Sequence, residues 1–195
     1  MTEIPFVGPI AGPYAVPIAV GVVLLLWFVL TYNGLIQLRM QVRNAWSQID
    51  VQLKRRHDLI PNLVATVQGY AAHERGTFEQ VTLARQRAVE ARGAAEAGRA
   101  EGLLTRALGG LFAVAEAYPE LKANTNFLAL QEELAGTENR IGFARQFYTD
   151  QVMALNTRIE SVPSNVVAAI GGFRRAEFFE IEEAGEREVP QVRFA

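Results

Sequence analysis

No charged side chain occurs between Glu3 and Arg39, and that span holds the apolar run YAVPIAVGVVLLLWFVLTY, Tyr14 to Tyr32. As an α-helix this run would measure roughly 28 Å at 1.5 Å per residue, close to the hydrocarbon thickness of a bilayer. Val22, Leu25, Trp27 and Leu30 fall inside it. Tyr14 and Tyr32 bracket it, where aromatic rings favour the interface. Pro17 lies near the first turn, where proline costs little. A membrane-spanning helix is therefore expected over 14–32, behind an irregular lead-in over 1–13. Two rival readings are a buried core helix and a cleaved signal peptide. A core helix of this length would keep some polar face. A signal peptide needs a positive start and a small-residue cleavage site. Neither Lys nor Arg occurs in the first thirteen residues, and no A-x-A pattern follows the run.

Flanking charge predicts orientation. Glu3 alone precedes the segment; Arg39, Arg43, Lys54, Arg55 and Arg56 follow it. The positive-inside rule then places the N-terminus outside a bacterial cytoplasmic membrane and the bulk of the chain in the cytoplasm.

The remaining residues read as helical. Leu35, Leu38, Val42, Ala45, Ile49 and Leu53 recur at spacings of three and four, a stripe narrow enough to resemble a coiled-coil seam. It resumes at Ile60, Leu63, Val67 and Tyr70. No long loop separates Tyr32 from Leu35, so the membrane helix can run on into this one. Pro61 predicts a kink or a break, because it lacks a backbone donor and clashes one turn back. A second helix is expected from Glu74 to about Ala91. Arg92–Gly102 contains three glycines and predicts a loop or a frayed helix. A short helix follows from Leu103 to about Ala117, interrupted at Gly109-Gly110 and ended by Tyr118-Pro119. The longest pattern starts from a cap at Asn124 or Thr125. It buries Phe127, Leu130, Leu134, Ile141, Phe147 or Tyr148, Val152, Leu155 and Ile159. It ends at Val162-Pro163. Ser164 is expected to cap a last short helix to Ile170, stopped by Gly171-Gly172. The tail, 171–195, shows no helical period and is expected to be mostly irregular. Long stripes joined by short breaks bury one another, so the predicted class is all-α: an elongated antiparallel bundle over 33–170 behind the transmembrane helix.

No catalytic constellation emerges. The chain has no cysteine, which removes disulfides, thiolate nucleophiles and zinc–sulfur sites. His57 and His73 lack the spacing that puts two imidazoles on one metal, and no phosphate-binding glycine loop occurs. Net charge is −2, which gives no general pull toward nucleic acid. We therefore expect no enzyme, cofactor or metal.

Three features suggest contacts instead. Gln37, Gln41, Asn44, Gln48 and Gln52 form an amide stripe beside the apolar seam, suited to self-association or a partner helix, or simply to a soluble flank. Lys54-Arg55-Arg56-His57 is the most basic spot. It reads chiefly as a solvated face with Asp50 and Asp58 as helical-spacing partners, and Arg55 and Arg56 as candidate partner contacts. The group Asp50, Asp58 and Arg56 is the only candidate for a ligand site inside the bundle. Phe178, Phe179 and Ile181 in the tail can dock on a partner or, preferably, on the chain's own bundle.

The runs NAWSQIDVQLKRRHDLIPNLV (Asn44 to Val64), GYAAHERGTFEQVTLAR (Gly69 to Arg85), AEAYPELKANTNFLALQEELAGTENRI (Ala115 to Ile141) and ARQFYTDQVMALNTRIESVPSNVVA (Ala144 to Ala168), in this order, resemble the LemA family of bacterial membrane proteins. So do YNGL at Tyr32 to Leu35 and the ending FFEIEE with VPQVRF. The resemblance implies a long helical bundle behind one N-terminal transmembrane helix, with no established enzymatic activity and no known cofactor. It also brings associations: some members are encoded near a membrane zinc metalloprotease, and one relative belongs to bacterial magnetosomes. Some relatives carry a lipid-attachment signal instead of the helix, which would place the same domain outside the membrane. His57 departs from the family's usual aromatic or alanine. Taken together, the expected function is a membrane-anchored scaffold or adaptor acting through protein contacts or self-assembly. The alternatives are regulation of a membrane metalloprotease or a receptor with a site inside the bundle.

Overall fold

The computed structural model describes residues 14–180. Among them all regular structure is α-helical, in the order α1 (Ala15–Gln68), α2 (Arg75–Glu90), α3 (Ala94–Glu116), α4 (Pro119–Lys122), α5 (Thr125–Glu160) and α6 (Ser164–Ile170). The lead-in over 1–13 and the residues from Ile181 onward, including the VPQVRF ending, lie outside the described residues.

α1 changes environment partway along. Up to Leu26 its apolar side chains are exposed on every face, including Val16, Ile18, Val23 and Leu26; Trp27 and Phe28 are half-buried against the bundle, and Leu30 is exposed again. Exposure all round is unfavourable in water and natural in lipid, so this is a candidate membrane span. It is unlike a core helix, since almost none of it is buried. Burial begins at Thr31 and Leu35. From there Val42, Ala45, Ile49, Leu53, Ile60, Leu63 and Val67 face the bundle. The anchor and the first bundle helix are thus one helix.

Pro61 does not break α1, which continues through it to Gln68. Proline removes the N–H that would bond the carbonyl four residues back, that of His57. That carbonyl instead accepts from Arg85 Nε at 2.7 Å. A neighbouring helix supplies the missing donor.

α5 lies along α1 for most of the bundle, and α2 and α3 form a hairpin over the far half. Asn124 caps α5, its Oδ1 accepting from the N–H of Phe127 at 3.0 Å. Two cores result. The membrane-proximal one joins Leu35, Ile49, Ile141, Tyr148, Val152 and Leu155 with Phe173 and Phe179. The distal one joins Ile60, Leu63, Val81, Leu104, Leu111 and Leu121. Burying such a side chain stabilises by about 1.5–3 kcal/mol. Of the neighbours Phe147 and Tyr148 on α5, Tyr148 turns inward and Phe147 is exposed.

Expectations for α3 and for the start of α6 are corrected. Arg92–Gly102 is not a loop: α3 starts at Ala94 and runs unbroken through Gly109-Gly110. Its small residues Ala94, Ala97 and Gly98 are buried, and a Cβ at Gly98 would lie 2.2 Å from the Glu180 carbonyl oxygen. The absence of a side chain admits another backbone. Ser164 does not cap α6 by accepting; Pro163 is the N-cap residue, and Ser164 Oγ donates back to the carbonyls of Arg158 and Ser161. The segment after α6 has no regular structure yet is tied to the bundle. Asn156 exchanges two hydrogen bonds with Ala176, 2.8 and 2.9 Å. Tyr148 Oη donates to the Glu177 carbonyl at 2.8 Å. The Phe179 ring meets Trp46 edge-on at 5.8 Å. As expected, Phe179 is buried in the chain's own core and Phe178 packs beside it.

Candidate functional site

Two places on the bundle gather polar groups in an unusual setting. The first is an open groove of about 640 Å³ between α1 and α5. Asn44, Ser47, Gln48, Val51 and Gln52 line one wall; Arg140, Phe143, Ala144 and Phe147 line the other. The helical spacing of 44, 48, 51 and 52 puts these residues on one face. Phe143 is 76% exposed and Phe147 44%. Aromatic rings are among the side chains enriched in contact surfaces. Gln52 Oε1 is buried without a hydrogen-bond partner, a local cost to stability. Arg140 is the one charge among the lining residues. Of the amide stripe, Asn44, Gln48 and Gln52 therefore come together here. Gln37 and Gln41 continue the same helix toward the membrane and are exposed.

The second place is buried. Arg56 is 4% exposed and Glu101 1%. Arg56 Nη1 donates to Glu101 Oε2 at 3.0 Å, and Nη2 donates to Thr105 Oγ1 at 2.8 Å. His57 Nε2 donates to the other oxygen of Glu101 at 2.6 Å. Glu138 reaches Arg56 Nη1 at 3.2 Å from the half-exposed side. A carboxylate oxygen accepts, so the His57–Glu101 contact needs a hydrogen on His57 Nε2. Beside the cluster is a cleft of about 370 Å³, lined by Leu108, Phe112 and Leu134 as well as Arg56.

The solvated reading of the basic run is therefore corrected for Arg56 and His57, which are core residues. Arg55 is exposed and pairs with Glu133 across to α5, not with Asp50 or Asp58. Asp50 and Asp58 are exposed, so the structure does not assemble the group Asp50, Asp58 and Arg56. Sequence reasoning missed Glu101, Thr105, Glu138 and Phe143. A signal for two cluster members was present. Ile49, Leu53, Ile60, Leu63 and Val67 leave position 56 as the in-register core position. On α3, Ala97, Leu104, Leu108 and Leu111 leave 101. A charged residue at a core position demands a partner, and these two meet.

Among the described residues no group of three or more acidic, cysteine or histidine side chains converges as a metal site. α1 is the one described helix long and apolar enough to cross a membrane.

The LemA family profile matches residues 45–194, from Ala45 within α1 into the tail. Magnetosome proteins MamQ 1 and MamQ 2 of Paramagnetospirillum magneticum are each 27% identical over 192 aligned positions, covering 84% of this chain and 71% of the relative. Magnetosome protein MamQ of Magnetospirillum gryphiswaldense is similar to the same extent. With an all-helical bundle on an apolar N-terminal helix, and the family match running through that bundle, the chain belongs to the LemA family.

Proposed function

We propose that this protein is a non-catalytic, membrane-anchored scaffold whose contact surface is the α1–α5 groove, with a second copy of the chain as its occupant. The observation that carries this reading is the continuity of α1. Asn44 and Gln48 lie about 18–24 Å beyond Tyr32 at 1.5 Å per residue, at a height set by the anchor. Two copies in one membrane therefore hold the same amides level with each other. An amide carries both donor and acceptor, so it complements its own copy, as a charge does not. Val23, Leu30, Gln37, Asn44 and Val51 are all exposed and recur every seven residues, the repeat of a parallel two-helix seam. A two-fold axis along the membrane normal would place each of these residues opposite itself. The basic residues following the anchor favour a cytoplasmic bundle.

The chain contains no cysteine, so single cysteines report cleanly. Asn44→Cys and Gln48→Cys should give same-residue disulfide dimers on oxidation in intact membranes. Asp50→Cys, exposed on another face, should not. Monomer at both stripe positions, or equal yield at all three, would sink the second copy as occupant. A photo-crosslinker at Phe143 that captures a different membrane protein in place of a second copy would keep the scaffold and replace the partner.

A further inference from the structure

We propose that α6 is a second membrane contact, an apolar patch with a basic collar that seats the bundle on the bilayer surface beside the anchor. The chain reverses at α6. α5 ends at Glu160, where Leu38 of α1 shares a shallow surface with Thr157, Arg158 and Ser161. After α6 the Phe173 ring meets Tyr32 edge-on at 5.5 Å. The chain then runs back along α5, past Asn156 at Ala176 and Tyr148 at Glu177. α6 is therefore the apex of the bundle on the side of the anchor, level with the end of the apolar segment at Tyr32.

α6 is two-sided. Ser164, Val167 and Ala168 are buried against the bundle. Val162, Val166 and Ile170 are 83%, 56% and 70% exposed. Val166 and Ile170, four apart within α6, share one outer face, and Val162 stands in the turn just before the helix. Large aliphatic side chains at that exposure, next to a lipid-facing helix, match a segment lying in the interface with its apolar side toward the acyl chains. The charge around them has one dominant sign. Residues 31–43 and 158–175 hold Arg39, Arg43, Arg158, Arg174 and Arg175 against a single acid, Glu160. Glu160 is paired with Arg175 at 2.8 Å, and Arg39 lies over the Phe173 ring at 5.2 Å. Basic side chains in this position attract anionic headgroups. The partner that fits is the surface of a bilayer containing anionic phospholipid.

The proposal rests on α1 spanning the membrane, and the test separates the two ideas. Nitroxide labels at Val166→Cys and Ile170→Cys would be compared in the full chain, reconstituted in phosphatidylcholine–phosphatidylglycerol vesicles. Leu25→Cys marks the lipid and Leu83→Cys, on α2, the water. These four side chains are exposed, so the labels leave the core intact. Labels at 166 and 170 should collide with oxygen much as at 25 and be several-fold less accessible to a soluble nickel chelate than at 83. Nickel accessibility equal to position 83, with position 25 in lipid, would overturn the α6 contact alone. Nickel access at position 25 would overturn the anchor and the proposal with it. In phosphatidylcholine alone the immersion at 166 and 170 should weaken; immersion indifferent to headgroup charge would remove the collar from the proposal.

Discussion

The proximal core is rich in aromatic rings and closed by an irregular segment, whereas the distal core is largely aliphatic and closed by the α2–α3 hairpin. Both cover the same two helices, α1 and α5. The distal cover holds itself in shape, because each of its helices satisfies its own backbone. The proximal cover cannot. Residues 173–180 make no ladder, so their backbone groups depend on side chains from α5, Asn156 and Tyr148, and on the room that Gly98 leaves. The proximal half should therefore fail at single hydrogen bonds and single methyl groups, and the distal half should tolerate them. Between the halves lies the Arg56–Glu101–His57 cluster, which ties α1 to α3.

The largest expected effect comes from breaking that junction. Glu101→Ala leaves Arg56 buried and short of its main counter-charge, which costs about 3–5 kcal/mol. Urea unfolding of the full chain in detergent micelles should show it. A loss below about 1 kcal/mol, the worth of a surface pair, would mean that Glu138 and solvent suffice.

A smaller effect separates the two halves. Gly98→Ala puts a methyl group where the Glu180 carbonyl sits and should cost about 1–3 kcal/mol. Protease cleavage within 173–180 should speed up at the same time. Gly109→Ala meets nothing within 4 Å and should be neutral or stabilising by up to about 1 kcal/mol through helix propensity. Equal destabilisation at both sites would erase the distinction between the cores.

The smallest effect is at Tyr148. Tyr148→Phe removes the donor to Glu177 and should cost about 1 kcal/mol. Burial, and then the nearby Glu177 carboxylate, hold the Tyr148 phenol above its ordinary value of 10.0. A raised folded-state value means that this contribution is fully present below pH 10 and is lost as pH climbs through the folded value. Alkaline titration of stability should therefore show a loss in the parent chain that is absent in Tyr148→Phe.

Helix positions and the buried faces of α1, α2 and α5 were legible because burial of a regular helix imposes a three–four spacing on nearby residues. The anchor was legible because charge is excluded from lipid. Most of what failed in the sequence failed because the deciding partner was distant along the chain. Pro61 predicted an interruption that Arg85 cancels. Arg92–Gly102 had weak helix propensity, but close packing against residues 173–180 holds it as helix. Arg56 and His57 sat in a basic run that suggested water until Glu101, forty-five positions away from Arg56, came to meet them. The amide stripe was visible by spacing, but the exposed Phe143 and Phe147 that turn it into a groove belong to another helix.

The sequence by itself determined the apolar N-terminal helix, the family and the all-helical class, because each depends on local composition or local period. The tertiary structure decided which charges are core, which glycine admits a backbone, and where α6 stands relative to Tyr32. Those outcomes depend on groups far apart in sequence meeting at van der Waals and hydrogen-bond distance, and no local pattern encodes such a meeting.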